Sequence, residues 1–534
     1  MKPHATTRTT GHSREEQARR EIGRTDVSRT VAVALTAASL VLHVLAFAAL
    51  FATPALRGAL AGLFESGGAL KARIGACEST VNREFPAAVS LREPVQVALS
   101  ALGAGDEQVV LGREGWLFYQ PDVTALTGRG LDVAGGLGPL ARREPPAIAA
   151  VKAFHDALAA RGIRLVLLPT PVKPGVHADK LRVGGAETPS EEIVRARGYA
   201  TWSAGLRAQG CEIFDAAPIL AAARAEHGDV YLKGDTHWRP ETMDRVAAAL
   251  AGTLRDALPA SAAAPVEAAP RAVTNVGDTA MMLALPPAHA LRAPETVVVR
   301  PVEGAKADAA DVELLGASFS NLYSSEAMGW GADAGLAERL AFHLGRPVNA
   351  FVRNDGGAWS SRERLAQALA RGTASLEGVK VVVWQFAERE LVHGDWKMIA
   401  LPESAAQPSR PRGDPDAPPL GTVPCTATVS AVSTGPRLDA PYSEFIIKWH
   451  VTGLAAVDDT AMPAEAVVLL YGMRARQVLP AASLQPGASV SLKLRPWSEV
   501  EGKLGSLNAG LLDDEMLEID LPLYWAEDAD PGRQ

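Results

Sequence analysis

The most constraining feature of this chain is an uninterrupted apolar run near its N-terminus. Residues 31–52 contain no charged side chain, and the run includes only one histidine, His43. About 20 such residues cross the hydrocarbon core of a bilayer as a helix. The tail before the run holds seven lysines and arginines against four acidic residues, whereas only Arg57 and Glu65 follow it closely. This asymmetry predicts a cytoplasmic N-terminus and an extracytoplasmic location for most of the chain.

A cleaved signal peptide is the main alternative to a membrane anchor. The apolar region of a signal peptide is normally about 7–15 residues long, which is shorter than this run, and no convincing A-x-A cleavage site follows. A buried core helix is disfavoured because the run shows no amphipathic period. We therefore predict an uncleaved, single-pass anchor over residues 30–52.

Composition and charge exclude several classes of protein. The formal net charge of -8 and a pI of about 5.8 leave no basic surplus for binding nucleic acid. The three cysteines, Cys77, Cys211 and Cys425, form no CxxC pair. This spacing excludes a zinc ribbon, an iron–sulfur cluster and a disulfide-built scaffold, although one disulfide with an odd thiol remains open.

Between residues 106 and 400, short apolar strands alternate with helical segments. This alternation predicts an α/β domain with a mostly parallel sheet covered on both faces, in which ligands bind beyond the carboxyl ends of the strands. The predicted strands of this sheet are 163–168, 211–214, 312–315, 348–352 and 379–386.

The C-terminal part of the chain has a different sequence pattern. Residues 421–534 carry alternating apolar runs separated by Gly, Pro, Asp and Ser, which predict a β-sandwich-like module that could bind carbohydrate. The predicted organisation is a cytoplasmic tail (1–29), the anchor (30–52), a helical connector (53–105), the α/β domain (106–400), a Pro-rich linker (401–420) and the β-rich module (421–534).

Two short motifs could carry chemistry. In Gly234-Asp235-Thr236-His237-Trp238, Asp235 and His237 are two residues apart, so in an extended segment they point to the same side. In Gly316-Ala317-Ser318, a Ser hydroxyl follows a buried strand at its carboxyl end. A serine needs an adjacent base to become a nucleophile. We therefore predict that His237 accepts the proton of Ser318 and that Asp235 orients the imidazole.

Each motif also has a plainer interpretation. The Asp-x-His pair could hold a metal, although no second cluster supplies further ligands, or it could cap a helix, and a Gly-Ala-Ser turn at a strand end is common. We predict no metal site and no bound cofactor, because no nucleotide or metal motif is visible.

The motifs and their order resemble the alginate O-acetyltransferase family of AlgX/AlgJ type, which has an SGNH-hydrolase-like domain. The matching segments are 115–119 (GWLFY), 234–238 (GDTHW), 316–320 (GASFS) and 388–391 (EREL). The resemblance covers roughly residues 105–400. Ala317 stands where the family often has threonine in a Gly-Thr-Ser turn, which removes a hydroxyl but leaves the backbone donors.

The resemblance implies a membrane-anchored or periplasmic O-acetyltransferase that acetylates an exported polysaccharide. With the predicted anchor, we expect a single-pass protein of the inner membrane whose catalytic domain is periplasmic or extracytoplasmic. The resemblance also implies that Asp235, His237 and Ser318 form the triad and that a multipass membrane acyltransferase supplies the acetyl group. A carbohydrate acetylesterase with the same triad and a non-catalytic glycan-binding scaffold of a secretion complex are the alternatives.

Three further residues are candidates for substrate binding. Arg389, after the last strand of the sheet, could bind a sugar carboxylate or hydroxyl groups, or it could pair with a neighbouring glutamate. Tyr323 could line the pocket or pack in the core. Lys173 lies at a strand end on the same side of the sheet and is solvated by default.

Overall fold

The structure is a computed structural model of the chain. It describes residues 29–64, 73–74, 77–78, 80–81, 84–131, 146–181, 192–259, 264–307, 310–354, 356–402, 422–436, 442, 444–458, 460–474, 476–505, 507–512 and 517–531. The chain forms two compact units, Met1–Glu93 and Pro94–Gln534. The predicted cytoplasmic tail, apart from Arg29, and the predicted linker, apart from its first two residues, lie outside the described residues. All three cysteines are described, buried and free.

Within the described residues the secondary structure is as follows. The α-helices are α1 (Arg29–Ala52), α2 (Pro54–Gly62), α3 (Pro86–Ala101), α4 (Gln120–Thr127), α5 (Pro146–Ala159), α6 (Lys173–Val176), α7 (Tyr199–Ala208), α8 (Ala217–His227), α9 (Pro240–Leu254), α10 (Asp278–Met282), α11 (Ser318–Asn321), α12 (Leu336–Leu344), α13 (Gly357–Ala370), α14 (Glu390–His393), α15 (Glu501–Leu504) and α16 (Leu517–Asp520). The strands are β1 (Val109–Leu111), β2 (Leu117–Tyr119), β3 (Arg164–Thr170), β4 (Glu212–Ile213), β5 (Val266–Glu267), β6 (Arg271–Asn275), β7 (Glu295–Val299), β8 (Val302–Glu303), β9 (Val312–Gly316), β10 (Asn349–Val352), β11 (Val381–Ala387), β12 (Val423–Val432), β13 (Phe445–Ala456), β14 (Glu465–Arg474), β15 (Gln477–Val478), β16 (Ser489–Pro496) and β17 (Leu523–Pro531).

The first unit contains the apolar helix predicted from the sequence. The segment Thr30–Ala52 has a mean hydropathy of 2.3 over its most apolar window and is long enough to cross a membrane. A signal sequence near the N-terminus would meet the same criteria of length and composition.

A five-stranded parallel sheet is the centre of the α/β domain. Its strand order is β10-β9-β11-β3-β4, and every neighbouring pair is parallel. All five strands were predicted to within about two residues at their ends. Because the strands are parallel, the carboxyl ends of β3, β9, β10 and β11 lie at one edge of the sheet, where ligands bind in open α/β folds.

Apolar cores cover both faces of the sheet. Along β3, Val166 and Leu168 enter one core, and Leu165 and Leu167 enter the other. β11 alternates in the same way. A strand buried on both faces has a continuous apolar sequence, and this pattern predicted these strands.

Two additions to the sheet were not predicted. The helix α8 lies between β4 and the segment that carries Asp235, and residues 264–303 form two small antiparallel ribbons, β5–β8 and β6–β7. The ribbon strand β6 precedes α10, which brings Asp278 to the candidate site described below. All five residues of β6 are exposed or half-buried, so no apolar run in the sequence predicted this strand.

The C-terminal module is β-rich, as predicted, but its strands form one closed sheet instead of two facing sheets. β12 pairs with β13 and β16, β16 pairs with β17, β17 pairs with β14, and β14 pairs back with β13. Counted from β12 and without the short β15, the order around the barrel is 1-2-3-5-4-1 with a parallel 3–5 pair. This is the strand order of an OB-fold barrel.

The barrel and the α/β domain contact each other within the second unit. Arg364 on α13 donates hydrogen bonds to the carbonyl oxygens of Val352 and Gly505, and Arg371 donates one to that of Glu518, at 3.3 Å. Glu518 also accepts a hydrogen bond from Lys448 of β13. The two domains thus share a polar contact next to the carboxyl end of β10.

Candidate active site

The structure brings Asp235, His237 and Ser318 together in one hydrogen-bonded chain. The Nδ1 atom of His237 lies 2.6 Å from Oδ1 of Asp235, and Nε2 lies 2.8 Å from Oγ of Ser318. Asp235 and His237 are buried, whereas Ser318 is partly exposed. The arrangement is that of an activated serine with a reachable hydroxyl, a base beside it, and a carboxylate behind the base.

The histidine and the aspartate lie on a short loop that is closed at its base. Tyr231 and Trp238 form an antiparallel bridge, and the N–H of Leu232 donates to the carbonyl oxygen of His237. α9 then begins at Pro240, a position that suits proline because the first N–H of a helix lacks an intrahelical partner. The loop therefore presents its side chains from a fixed backbone.

The Asp235 carboxylate accepts four hydrogen bonds. Oδ1 accepts from the backbone N–H and the ring of His237, and Oδ2 accepts from the N–H of Asp278 and from Nε1 of Trp330, both at 3.0 Å. Burial alone would raise the pKa of Asp235, but these bonds and the charge of His237 outweigh it and lower the pKa. Asp235 is therefore ionised and fixed in orientation.

The same neighbours make His237 a stronger base. Burial would lower the pKa of His237, but the hydrogen bond and the charge of Asp235 outweigh it, with a further contribution from Asp278, so that the pKa is raised. The ring packs edge-to-face against Phe319, with centroids 4.7 Å apart. Phe319 thereby holds the imidazole beside its neighbour Ser318.

Asp278 is a second carboxylate at the triad that sequence reasoning missed. Its Oδ2 lies 3.6 Å from Nδ1 of His237, and its Oδ1 accepts from the N–H groups of Thr236 and Thr279. Burial and the charge of Asp235 raise its pKa to about 7. No motif in the sequence marks it, because it reaches the site only through the β6–β7 ribbon.

Asp235, His237 and Asp278 also have the spacing of a metal-binding group. One ligand atom from each lies within 4.8 Å of the others. Both ring nitrogens of His237 already face a partner, and Asp235 already has four donors. A metal ion bound to His237 would displace either Ser318 or Asp235 from the ring, so the hydrogen bonds favour the triad interpretation.

The turn that carries Ser318 is held by a buried glutamine from the central strand β11. Oε1 of Gln385 accepts from the backbone N–H of Ala317 and from Oγ of Ser320, and its Nε2 donates to Oγ1 of Thr170 at 2.9 Å. Ser318 opens the short helix α11, where the first N–H groups have no partner within the helix. Such N–H groups can face an oxygen that becomes negative during reaction.

Of the three predicted substrate contacts, only Arg389 keeps exposed surface. Its side chain is 16% exposed, and its Nη1 donates to Oδ1 of the fully buried Asp122 at 3.0 Å, with Glu390 3.4 Å away. Both interpretations made from the sequence therefore remain compatible with this position, since the side chain is paired and keeps some exposed surface.

Neither Tyr323 nor Lys173 has exposed side-chain surface. Tyr323 packs in the core, which is one of its two predicted places, and Lys173 is buried where a solvated side chain was expected. The hydroxyl of Tyr323 donates to the carbonyl oxygen of Trp238 at 2.7 Å, which ties the turn after α11 to the histidine loop. Lys173 donates three hydrogen bonds to backbone carbonyl oxygens, including that of Asp235. Both residues support the loop beneath the triad.

Comparisons with known proteins identify the family. Residues 109–388, just over half of the chain, match the family model "SGNH hydrolase-like domain, acetyltransferase AlgX". The chain is 26% identical over 365 residues to the probable alginate O-acetylase AlgJ of Pseudomonas aeruginosa, which covers 65% of this chain and 83% of the relative. It is 27% identical over 298 residues to the protein of the same name from Pseudomonas putida, covering 54% of this chain and 71% of the relative.

Two solved structures are also similar to the chain. The O-acetyltransferase domain of Pseudomonas putida AlgJ has 25% identity and a TM-score of 0.40, and the match covers 53% of this chain and 91% of that domain. Pseudomonas aeruginosa AlgX has 18% identity and a TM-score of 0.37, covering 70% and 84%. The family match carries the assignment: this chain belongs to the AlgX acetyltransferase family and is an O-acetyltransferase with an SGNH-hydrolase-like domain.

Proposed function

We propose that the chain transfers acetyl groups to hydroxyls of an exported polysaccharide through an acetyl-serine intermediate on Ser318. The observation that carries the proposal is the hydrogen-bonded chain from Asp235 through His237 to the partly exposed Ser318. The relatives carry the name probable alginate O-acetylase, so alginate is the first acceptor to test. The apolar helix Thr30–Ala52 supports an inner-membrane anchor with the domain on the periplasmic side.

The first half-reaction acetylates the enzyme. Oγ of Ser318 attacks the carbonyl carbon of the acetyl donor while Nε2 of His237 takes the hydroxyl proton. The tetrahedral intermediate then expels the donor's leaving group, which takes that proton from His237. Ionised Asp235 stabilises the imidazolium in between. A multipass membrane acyltransferase is the proposed source of the acetyl group.

The second half-reaction releases the acetyl group to the acceptor. A sugar hydroxyl attacks the acetyl-serine carbonyl and gives its proton to Nε2 of His237. Collapse of the intermediate breaks the bond to Oγ of Ser318, which recovers the proton. Arg389, paired but 16% exposed, is the proposed contact for the acceptor beside this path.

Intact-protein mass spectrometry after exposure to a chromogenic acetyl ester tests the nucleophile. Wild-type protein should gain the mass of one acetyl group, and Ser318→Ala should not. Ser203→Ala is a matched control, since the hydroxyl of this buried serine donates to the carbonyl oxygen of Ala200 in its own helix, away from the hydrogen-bonded chain of Ser318. An adduct that persists in Ser318→Ala, or a wild type that is never acetylated, contradicts the proposal.

The same donor separates transfer from hydrolysis. With alginate oligosaccharides added, we expect acetylated oligosaccharide to form at the expense of free acetate. Release of acetate that no tested acceptor reduces would instead assign the triad to an esterase, because the two activities differ only in whether water or a sugar reaches the acyl-enzyme.

A further inference from the structure

We propose that Lys173 is a positioning residue for acetyl transfer, whose buried ammonium fixes the loop that carries Asp235 and His237. The inference rests on the proposed function of that loop. It also gives a role to the Gly115–Tyr119 motif, which the triad itself leaves unexplained.

Three segments of the chain meet at one atom. Nζ of Lys173 donates to the carbonyl oxygens of Leu117 at 2.5 Å, Lys233 at 2.7 Å and Asp235 at 2.9 Å. An ammonium group has three N–H donors and no acceptor, so these bonds use all of them. Two of the three acceptors belong to the loop that ends at His237.

The backbone N–H groups of the same loop are also hydrogen-bonded. The carboxylate of Glu295 accepts hydrogen bonds from the N–H groups of Lys233 and Gly234 at 3.1 and 2.9 Å. The peptide groups between Lys233 and Asp235 are therefore fixed by a cation at their carbonyl oxygens and by an anion at their N–H groups. A displacement of either charge would move the backbone that presents the triad.

Aromatic rings replace water around the ammonium. Nζ lies 5.1 Å from the ring centroid of Trp116 and 5.3 Å from that of Phe118, within the range of a cation–π interaction. The His177 ring packs against Trp116, with the two ring centroids 4.3 Å apart. Burial lowers the pKa of His177 to about 3, so His177 stays neutral beside Lys173. The Gly115–Tyr119 motif thus builds a dry pocket for a cation.

The ammonium also balances a cluster of buried and half-buried acidic groups. The carboxylates that face Lys173 come from four different elements: Asp278, Asp235, Glu295 and Asp122. Burial outweighs their attraction and lowers the pKa of Lys173 to about 8. The group is therefore charged at neutral pH and loses its charge as the pH rises through about 8, leaving the carbonyl oxygens and the carboxylates without their cation.

Hydrolysis of a chromogenic acetyl ester by the full chain tests the proposal. Wild-type kcat should fall as the pH rises above about 8, while circular dichroism stays native. In Lys173→Arg the decline should move to a higher pH, because the guanidinium does not titrate in this range. Lys173→Met should lower kcat about 100-fold with KM changed by less than about threefold, since misplacing a reacting group by about 1 Å costs that much.

Three results would overturn the proposal for Lys173. A wild-type kcat that stays constant to pH 10 overturns the proposal even if neither variant folds. An unchanged alkaline limb in Lys173→Arg, or a Lys173→Met protein within about threefold of wild-type kcat, also overturns it. Ser318→Ala, assayed in parallel, separates the two hypotheses: activity that survives in Ser318→Ala contradicts the proposed nucleophile, whatever Lys173 does.

Discussion

The carboxyl of Asp278 sits against His237 and should give the protein a measurable pH dependence of stability. Its pKa is raised to about 7 in the folded chain, so the folded state binds this proton more tightly than the unfolded state does. Ionisation of Asp278 therefore costs stability, and this cost is absent below about pH 4 and complete above about pH 7. Asp278→Asn removes the cost while its side-chain oxygen can still accept from Thr236 and Thr279.

Thermal unfolding between pH 5 and pH 8 checks this prediction. The melting temperature of Asp278→Asn minus that of the wild type should become more positive across the range, by on the order of 1 °C for each 1 kcal/mol in a cooperative unit of this size. The exposed Asp395→Asn removes a charge at the surface and should show no such trend. A difference that is flat or falls with pH for Asp278→Asn would rule out the carboxyl as a source of destabilisation.

At the scale of single residues, the sequence identified the three residues that the structure joins in one hydrogen-bonded chain, but not the residues that support them. Asp235, His237 and Ser318 stood in short motifs whose chemistry is recognisable. Asp278 and Trp330 reach Asp235 from 43 and 95 residues away, and nothing local distinguishes them from other polar or core residues. Lys173 was recognised as lying near the site, but its burial depends on three carbonyl groups that only the fold brings together.

The turn between β9 and α11 depends on the absence of a side chain at Gly316. A Cβ atom there would lie 2.5 Å from Oγ and 2.6 Å from Cβ of Ser320. Ser320 has no free choice of rotamer, because its hydroxyl donates to Gln385. Gly316→Ala should therefore displace α11 and with it Ser318, destabilising the protein by about 1–3 kcal/mol and lowering kcat by about 100-fold.

Gly205→Ala provides the matched control for this turn. Gly205 lies inside α7, and a Cβ atom there would meet nothing within 4 Å. Because glycine is unfavourable inside a helix, this variant should be stabilised by about 0.5–1 kcal/mol with unchanged activity. Acetyl-ester hydrolysis and thermal unfolding measure both variants, and a fully active Gly316→Ala protein would show that the turn tolerates a side chain.

At the scale of elements, the sequence predicted the buried parallel strands well and the exposed ribbons poorly. β3, β9 and β11 are apolar on both faces, so each gave a continuous signal. β6 has no buried residue and gave none. In the C-terminal module the β-rich character was predicted, but the closure of its strands into one sheet was not, because strand spacing does not determine which strands pair.

At the scale of the whole molecule, the C-terminal barrel is packed as part of the enzyme. OB folds commonly bind oligonucleotides or oligosaccharides on the outer face of their second and third strands. Here that face is covered: Ile446, Val467 and Leu469 form a buried cluster with Trp497 and Trp525, and Ala327 of the α/β domain packs against it. A carbohydrate site on the module, as predicted from the sequence, would have to use another part of its surface.

This packing predicts that the barrel and the α/β domain unfold together, and the buried pair Lys448–Glu518 tests it. Its atoms lie 2.6 Å apart, and Glu518 also offers its backbone carbonyl to Arg371 of α13. Glu518→Gln leaves a buried ammonium without a counter-charge, so we expect about 3 kcal/mol of destabilisation at neutral pH in a single transition that also abolishes acetyl-ester hydrolysis. Removing both charges with Lys448→Met and Glu518→Leu should restore most of the stability. Glu527→Gln, which breaks the pair between the half-buried Arg495 and the exposed Glu527, should change it by less than about 1 kcal/mol. Scanning calorimetry with activity measured along the transition decides: two separate transitions, with hydrolysis surviving the first, would mean that the barrel is an independent domain.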